Sequence, residues 1–483
     1  MSKTKFLLDI FERYSGYRPK KIETLPGSGS YREYYRLRAG DKSAIGVFNT
    51  DRKENEAFIT FTNHFITKKL PVPEVYQEDL DKNVYLLQDL GDLTLFSFLT
   101  NNRKNGEFPE DAIDKYKKIV EELPLFQIHG DEGLDYTKCY PRSKFDKQSM
   151  MWDLNYFKYY FLKLAKVAFD EQELENDFQR FSDWLLTEES SFFLYRDFQS
   201  SNIMIFEDHT YYIDYQGGRK GPLQYDLASL LWDAKADLPF ELRNYLLEHY
   251  LEHLQKLIQI DYKSFKKFYY GFVLIRLLQA MGAFGFRGFY ENKPSFLKSI
   301  PYALKNMTFL LNQYEIPIKV PHLIDVLKNL PESPELKQFT DTKEYRGRLM
   351  VEINSFSYRR GIPVDLSEHG GGFVFDCRAI HNPGRYDEFK NLNGNDPDVI
   401  HFLKTQSEAD QFVFDAFNLI KKSIDNYLHR KFTNLMINFG CTGGQHRSVY
   451  CAEKMKEILQ EKYSENIDIV THHREEELKN LGI

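Results

Sequence analysis

The chain has 483 residues, more than one hydrophobic core usually organises, so two or three domains are expected. Its apolar share of 42% and charged share of 28% are those of a folded globular protein and exclude a long low-complexity tract. A net charge of -7 gives no global basic field, which makes nucleic acid an unlikely partner and points to small molecules.

In chain order, MSKTKFLLDIFERYSGY opens as an amphipathic helix. Its apolar run is short and broken by Asp9, Glu12 and Arg13, so no export segment and a cytoplasmic location are expected. From about Lys20 to Leu90, KIETL, YREYYRLRA, KSAIGVF and NVYLLQDL read as short strands, with GSGS at a hairpin tip. Between them NEAFITFTNHFITKK carries apolar residues at helical spacing and is closed by Pro71 and Pro73, so one helix packs on a small sheet. The pattern is helical from Leu99 to Glu189, strand-like from Phe192 to Tyr215, and helical again through Leu311. The aromatic-rich segment from Phe268 to Phe289 is interrupted by Arg276 and Arg287, so no membrane span is expected. Four cysteines (Cys139, Cys377, Cys441, Cys451) without CxxC spacing fit a reducing compartment.

A polar stretch punctuated by Pro331 and Pro334 places a boundary near Thr340 to Tyr345. Beyond it RLMVEINSFSY, GGFVFDCRAI and NLMINFG alternate with the helical EADQFVFDAFNLIKKSIDNYL and SVYCAEKMKEILQEKY, the alternation of a βαβ layered domain. The expected division is residues 1–340, with lobes of about 1–95 and 96–340, followed by residues 341–483.

The sharpest motif is FFLYRDFQSSNIMIFEDHTYYIDYQGG, residues 192–218. Phosphoryl transfer from ATP needs an acceptor for the hydroxyl proton and oxygen ligands for Mg²⁺. Asp197 in YRD is placed as the base, Arg196 as its brace, and Asn202 and Asp214 as metal ligands. Singly these are a turn aspartate, an asparagine before a strand and an aspartate ending a hairpin; their order makes them specific. Upstream, Gly27, Ser28, Gly29 and Ser30 form a tip whose N–H groups could approach ATP phosphates. KSAIGVF lacks the inward lysine expected there; Arg52 and Lys53 lie just beyond and read more readily as a solvated turn.

YYRLRAGDKSAIGVF, VYLLQDLGDLTLFSFL, YRDFQSSNIMI, IDYQGGRKGPLQYDLASLLWDA and PHLIDVLKNLPESPELKQF together resemble the bacterial anomeric kinases of N-acetylmuramate and N-acetylglucosamine, in the aminoglycoside-phosphotransferase superfamily. The resemblance implies an α+β, protein-kinase-like bilobal fold followed by the smaller α/β domain. It also implies transfer of the ATP γ-phosphoryl group to an amino sugar's anomeric hydroxyl. Gln199 and Gly217–Gly218 depart from that family's pattern, and Asp92 and Asp226 are candidates to orient substrate or to brace the catalytic loop. Other acceptors, aminoglycoside or choline-like, remain open.

The second motif is NFGCTGGQHRSVYCAEKM, residues 438–455, in which a strand ends in a glycine turn that opens a helix, an anion site by its N–H groups and dipole. Cys441-x5-Arg447-Ser448 also fits a cysteine phosphatase, with Asp376 or Asp396 as the acid. VEINSFSYRRGIP, FVFDCRAIHNPGRYDEFKNLNGNDPDV, the loop itself and THHREEE resemble the C-terminal domain of bacterial RapZ proteins. That resemblance implies a site for glucosamine-6-phosphate or a similar phosphorylated amino sugar, using Cys441, Thr442, Gly443, Gly444, His446 and Arg447, with Asp376 and Arg378 nearby. Cys451 reads as a core thiol, and His472 and His473 as solvated. A non-catalytic, phosphosugar-responsive adaptor is the remaining alternative.

Overall fold

The computed structural model describes residues 3–26, 32–103, 107–337, 339, 348–365 and 372–480. It separates into two compact units, Met1–Ala283 with Tyr302–Leu330, and Phe284–Pro301 with Pro331–Ile483.

The first unit begins with an antiparallel five-stranded sheet of β1 (Lys21–Thr24), β2 (Glu33–Ala39), β3 (Lys42–Phe48), β4 (Val75–Asp79) and β5 (Val84–Gln88), in the order β1-β2-β3-β5-β4. The helix α1, Lys3–Ser15, lays Leu7, Ile10 and Phe11 against Leu37, Ala44, Val84 and Leu86 of this sheet. That contact explains the glycine inside KSAIGVF: a Cβ on Gly46 would meet Leu37 Cδ1 at 2.6 Å and Leu7 Cδ2 at 2.9 Å. The helix α2, Arg52–Thr67, starts three residues before the expected segment because Asp51 caps it, accepting from Lys53 N at 3.1 Å and Glu54 N at 3.2 Å.

Helices follow, and among them sit two short antiparallel pairs: β6 (Phe192–Leu194) with β9 (Arg219–Gly221), and the hairpin β7 (Ile203–Phe206) with β8 (His209–Tyr212). Glu207 and Asp208 both take positive φ in that hairpin's turn, the geometry that matches strand twist. The helix Tyr262–Gly285 continues to Tyr290 and is long and apolar enough for a membrane span. Its most apolar window is 67% buried inside the protein, which is the packing of a core helix. Arg276, expected to interrupt an apolar run, is instead a buried polar anchor within it.

The second unit is built on a parallel sheet of β10 (Leu349–Ser357), β11 (Phe373–Asp376), β12 (Asn434–Cys441) and β13 (Ile467–His473), in the order β11-β12-β10-β13. The helices Ala409–His429 and Arg447–Tyr463 cover it, and the core runs through Val351, Ile353, Ile420, Ile437, Phe439 and Met455. Central β12 is buried along nearly its whole length, as a strand with neighbours on both sides requires.

Candidate functional site

Asp226 lies in the first turn of the helix Leu223–Leu231, 0% exposed. Its carboxylate accepts the amides of Tyr195 at 2.7 Å and Arg196 at 2.9 Å. Of the two roles expected for it, bracing is the one its position allows, since both oxygens face backbone beneath the loop. Burial pushes its pKa up to about 7, against the pull of those two N–H groups. Arg196 adopts φ of 86°, and its guanidinium grips Asp153 at 2.6 and 2.8 Å and the Tyr225 hydroxyl at 2.5 Å. It lies beside the edge-to-face pair of Phe145 and Tyr225, 5.1 Å from each ring centroid. Arg196 therefore secures the loop from behind rather than serving on its reactive face.

The next residue, Asp197, leaves its side chain 45% exposed, 4.0 Å from Arg276 Nη2. Arg276 is itself fixed by the Ser229 hydroxyl at 2.9 Å and Gln279 at 2.7 Å, with Gln199 at 3.4 Å, so Gln199 helps seat a cation beside Asp197. Asn202 donates through Nδ2 to Asp197 O at 2.9 Å, which leaves its Oδ1 as the atom available to a ligand. The Asn202 carbonyl accepts from Ile213 N at 3.0 Å, joining the loop to the residue before Asp214. Asp214, at φ 71°, accepts from Gln216 Nε2 at 2.7 Å. Burial pushes its pKa up, Arg32 pulls it down, and the like charge of Asp197 pushes it up again. A partly open carboxylate and an amide oxygen form the hard-oxygen donor set that suits Mg²⁺.

The Gly217–Gly218 departure has a steric cause at its second residue: a Cβ on Gly218 would meet the Phe193 ring at 2.6 Å and Tyr215 O at 2.9 Å. Asp92 is 78% exposed and 2.8 Å from Arg36 Nη2, where it shares a cation with Asp89. Gly27, Ser28, Gly29 and Ser30 lie outside the described residues. Arg52 and Lys53 sit on the outside of α2, Arg52 paired with Glu56 and Asp81. Sequence reasoning missed Arg32 and Glu54, which meet at 2.7 Å. Their signal was faint: an arginine just past the glycine tip and a glutamate one turn into a helix.

In the second unit the expected residues gather at the carboxyl edge of the parallel sheet, where α/β folds place ligands. Ser357 pairs with Cys441 across β10 and β12, and Asp376 with Gly440 across β11 and β12. Cys441 is 3% exposed; its Sγ accepts Gly444 N at 3.2 Å and lies 3.2 Å from the Ser448 hydroxyl. Thr442 and Gly443 are exposed, and Gly444 takes φ of 67°, packed against Glu475 and Ser357. His446 reaches Phe389 O at 2.8 Å, which anchors the loop. Arg447 is buried, with Nη1 held by the carbonyls of Arg378 and Ile380, both at 2.9 Å. Expected as a charge for the anion, it also ties the loop to the segment after β11 through those two carbonyls. Arg378 pairs with Asp376 at 2.7 Å and covers the Tyr358 ring, 4.2 Å from its centroid. That pair holds the Asp376 carboxyl below its ordinary pKa.

Cys451 is a core thiol as expected. His473 is not solvated: Nδ1 meets the Ser355 hydroxyl at 2.9 Å and Nε2 meets Glu453 at 3.0 Å, because the polar THH run is the edge strand β13.

Residues 22–260 match the phosphotransferase enzyme family, and residues 349–477 match the RapZ C-terminal domain. A nucleotide-binding protein of Fusobacterium nucleatum is 30% identical over 261 residues, covering 50% of this chain and 88% of that protein. One from Solibacter usitatus is 36% identical over 130 residues, 26% of this chain and 39% of its own length. One from a Thermoanaerobacter species is 34% identical over 162 residues, 32% of this chain and 54% of its own. Among solved structures, the choline kinase LicA from Streptococcus pneumoniae aligns over 64% of this chain and all of its own, at 13% identity and a TM-score of 0.42. The chain belongs to the family of the nucleotide-binding protein of Fusobacterium nucleatum, and it joins a match to the RapZ C-terminal domain at residues 349–477 to a preceding match to the phosphotransferase enzyme family at residues 22–260.

Proposed function

We propose that the first unit is a cytoplasmic ATP- and Mg²⁺-dependent kinase acting on the anomeric hydroxyl of an amino sugar of the N-acetylmuramate or N-acetylglucosamine type. The second unit binds an amino-sugar phosphate such as glucosamine-6-phosphate. The observation that carries the kinase reading is the contrast within one loop. Asp197 presents an open carboxylate, while Arg196, Asp226 and Asn202 on either side of it are committed to holding backbone and side chains still. A general base needs that combination of access and fixed position. Asp197 accepts the proton of the attacking hydroxyl, with the Arg276 guanidinium 4.0 Å away. Asn202 and Asp214 would hold Mg²⁺, which when bound neutralises charge on the phosphates. Support for the second site comes from the exposed turn at Thr442–Gly443, which precedes the N-terminus of the helix Arg447–Tyr463, the end of a helix that favours an anion.

The test is a panel of N-acetylated sugars, aminoglycosides and choline with Mg-ATP, followed by phosphorus NMR. An acid-labile sugar 1-phosphate is expected from N-acetylmuramate or N-acetylglucosamine. A product from choline or an aminoglycoside alone would replace the acceptor, and a chain that neither binds nor consumes ATP would overturn the kinase reading.

A further inference from the structure

Protein kinases hold the nucleotide's α- and β-phosphates with a lysine on the third strand, which a glutamate on the helix packed against the sheet keeps in place. Here β3 supplies no such cation: Lys42, its one lysine, is exposed at the strand's start, and Ser43 to Phe48 carry no charge. The acidic half of the arrangement is nevertheless present. Glu54 stands in the first turn of α2 with its Oε2 receiving Asn49 Nδ2 at 2.8 Å, and its Oε1 receives Arg32 Nη2 at 2.7 Å. The Arg32 side chain, 3% exposed, also brings Nη1 to 3.4 Å from Asp214 Oδ1 and 3.2 Å from the Tyr34 hydroxyl. A cation buried this deeply is held only by its partners. One of those partners is the helix glutamate, and the other is the aspartate read as a metal ligand.

We propose that Arg32 is the phosphate anchor of the active site, supplied from the start of β2 in place of the lysine that β3 lacks. The register makes the exchange local, since Glu33, the next residue, pairs with Phe48 at the end of β3. Arginine suits the displaced position because its planar fork serves two acceptors at once. With nucleotide present, Nη1 turns from Asp214 to phosphate oxygens while Nη2 stays on Glu54. Among the described residues, Arg36 is spent on Asp89, Asp92 and the Gly91 carbonyl, Arg52 on Glu56 and Asp81, and Arg276 stands on the Asp197 side of the site. The ligand class is a nucleoside di- or triphosphate, and the assignment rests on the kinase reading above.

Calorimetry with Mg-ADP and with adenosine, on the full chain and on Arg32→Met, separates anchoring from structure. Mg-ADP affinity is expected to fall by roughly tenfold to a hundredfold, with adenosine affinity unchanged and Arg32→Lys recovering part of the loss. Equal losses for both ligands make the role structural, and an Arg32→Met protein that binds Mg-ADP like the parent also overturns the proposal. Should Arg32→Met fail to fold, Arg32→Lys carries the same comparison, because a single ammonium cannot keep Glu54 and reach phosphate as the fork does. A parent chain that binds neither ligand removes the kinase reading and Arg32's role with it. A parent that binds both, with Arg32→Met indistinguishable, removes only Arg32's.

Discussion

Asp197 and Asp214 carry the same functional group and are expected to fail differently. Asp197→Asn removes the proton acceptor without touching a metal ligand, so turnover should fall by roughly 10²–10⁴-fold while Mg-ADP affinity stays near the parent's. Asp214→Asn removes a proposed metal ligand and a partner of Arg32, so nucleotide affinity and turnover should fall together. Steady-state rates beside calorimetry decide it, and parental turnover in Asp197→Asn on the true acceptor would end the assignment. Asp226 gives a pH signature. With its carboxyl raised to about 7 in the folded chain, it is protonated there while the unfolded chain's is already ionised. Its contribution to stability is therefore complete below about pH 4 and is lost as pH rises toward 7. Melting curves for the parent and Asp226→Asn should differ by an amount that shrinks across that window, and a constant difference would contradict it. The order YRD, Asn202, Asp214 was legible because all three lie within one loop and hairpin. Arg32 was not, because pairing a residue before β2 with one on α2 and another past β8 is a property of the fold and leaves no spacing to read.

Among the elements, strands with alternating or continuous apolar residues were legible almost to the residue, as β3 shows. Three were not. β9 is the three residues RKG, too short to show a period, while β4 reads VYQED and β13 reads IDIVTHH, and each of these is a half-buried edge strand whose polar residues mask its period. The elements also explain why the loop tolerates so little change. The turn after Asp214 sits on α2, where Tyr215 stacks on Phe58 at 5.1 Å and meets the Thr62 hydroxyl at 2.5 Å. Gly218 closes that turn against Phe193 of β6, so both ends of the segment that follows Asp214 are fixed by packing. Gly218→Ala should cost about 1–3 kcal/mol of stability through overpacking and lower phosphoryl transfer, while glucosamine-6-phosphate binding in the second unit stays at the parent's level. A variant that melts and turns over like the parent would show that Phe193 yields freely and that the segment is not held there.

For the whole molecule, the proposed kinase and the proposed phosphate-binding loop together make either a kinase with a sensor or a kinase with its own phosphatase. A cysteine phosphatase needs an accessible thiolate and a protonated carboxyl for the leaving group. Cys441 is buried with Gly444 N on its sulfur, and Asp376 is held ionised by Arg378. Asp396, the other acid considered, accepts Asn393 N at 2.5 Å in a turn. The buried sulfur and the committed acids fit a wall better than a nucleophile. Cys441→Ser keeps the size of the wall and an acceptor for Gly444 N, so calorimetry on the full chain should give glucosamine-6-phosphate binding within about threefold of the parent's. Arg447→Ala should lose that binding and about 1–3 kcal/mol of stability, because two carbonyls lose the donor they are buried with. Neither the parent nor Cys441→Ser should release phosphate from glucosamine-6-phosphate. Release by the parent that disappears in Cys441→Ser would make Cys441 a nucleophile and the chain a kinase fused to a phosphatase.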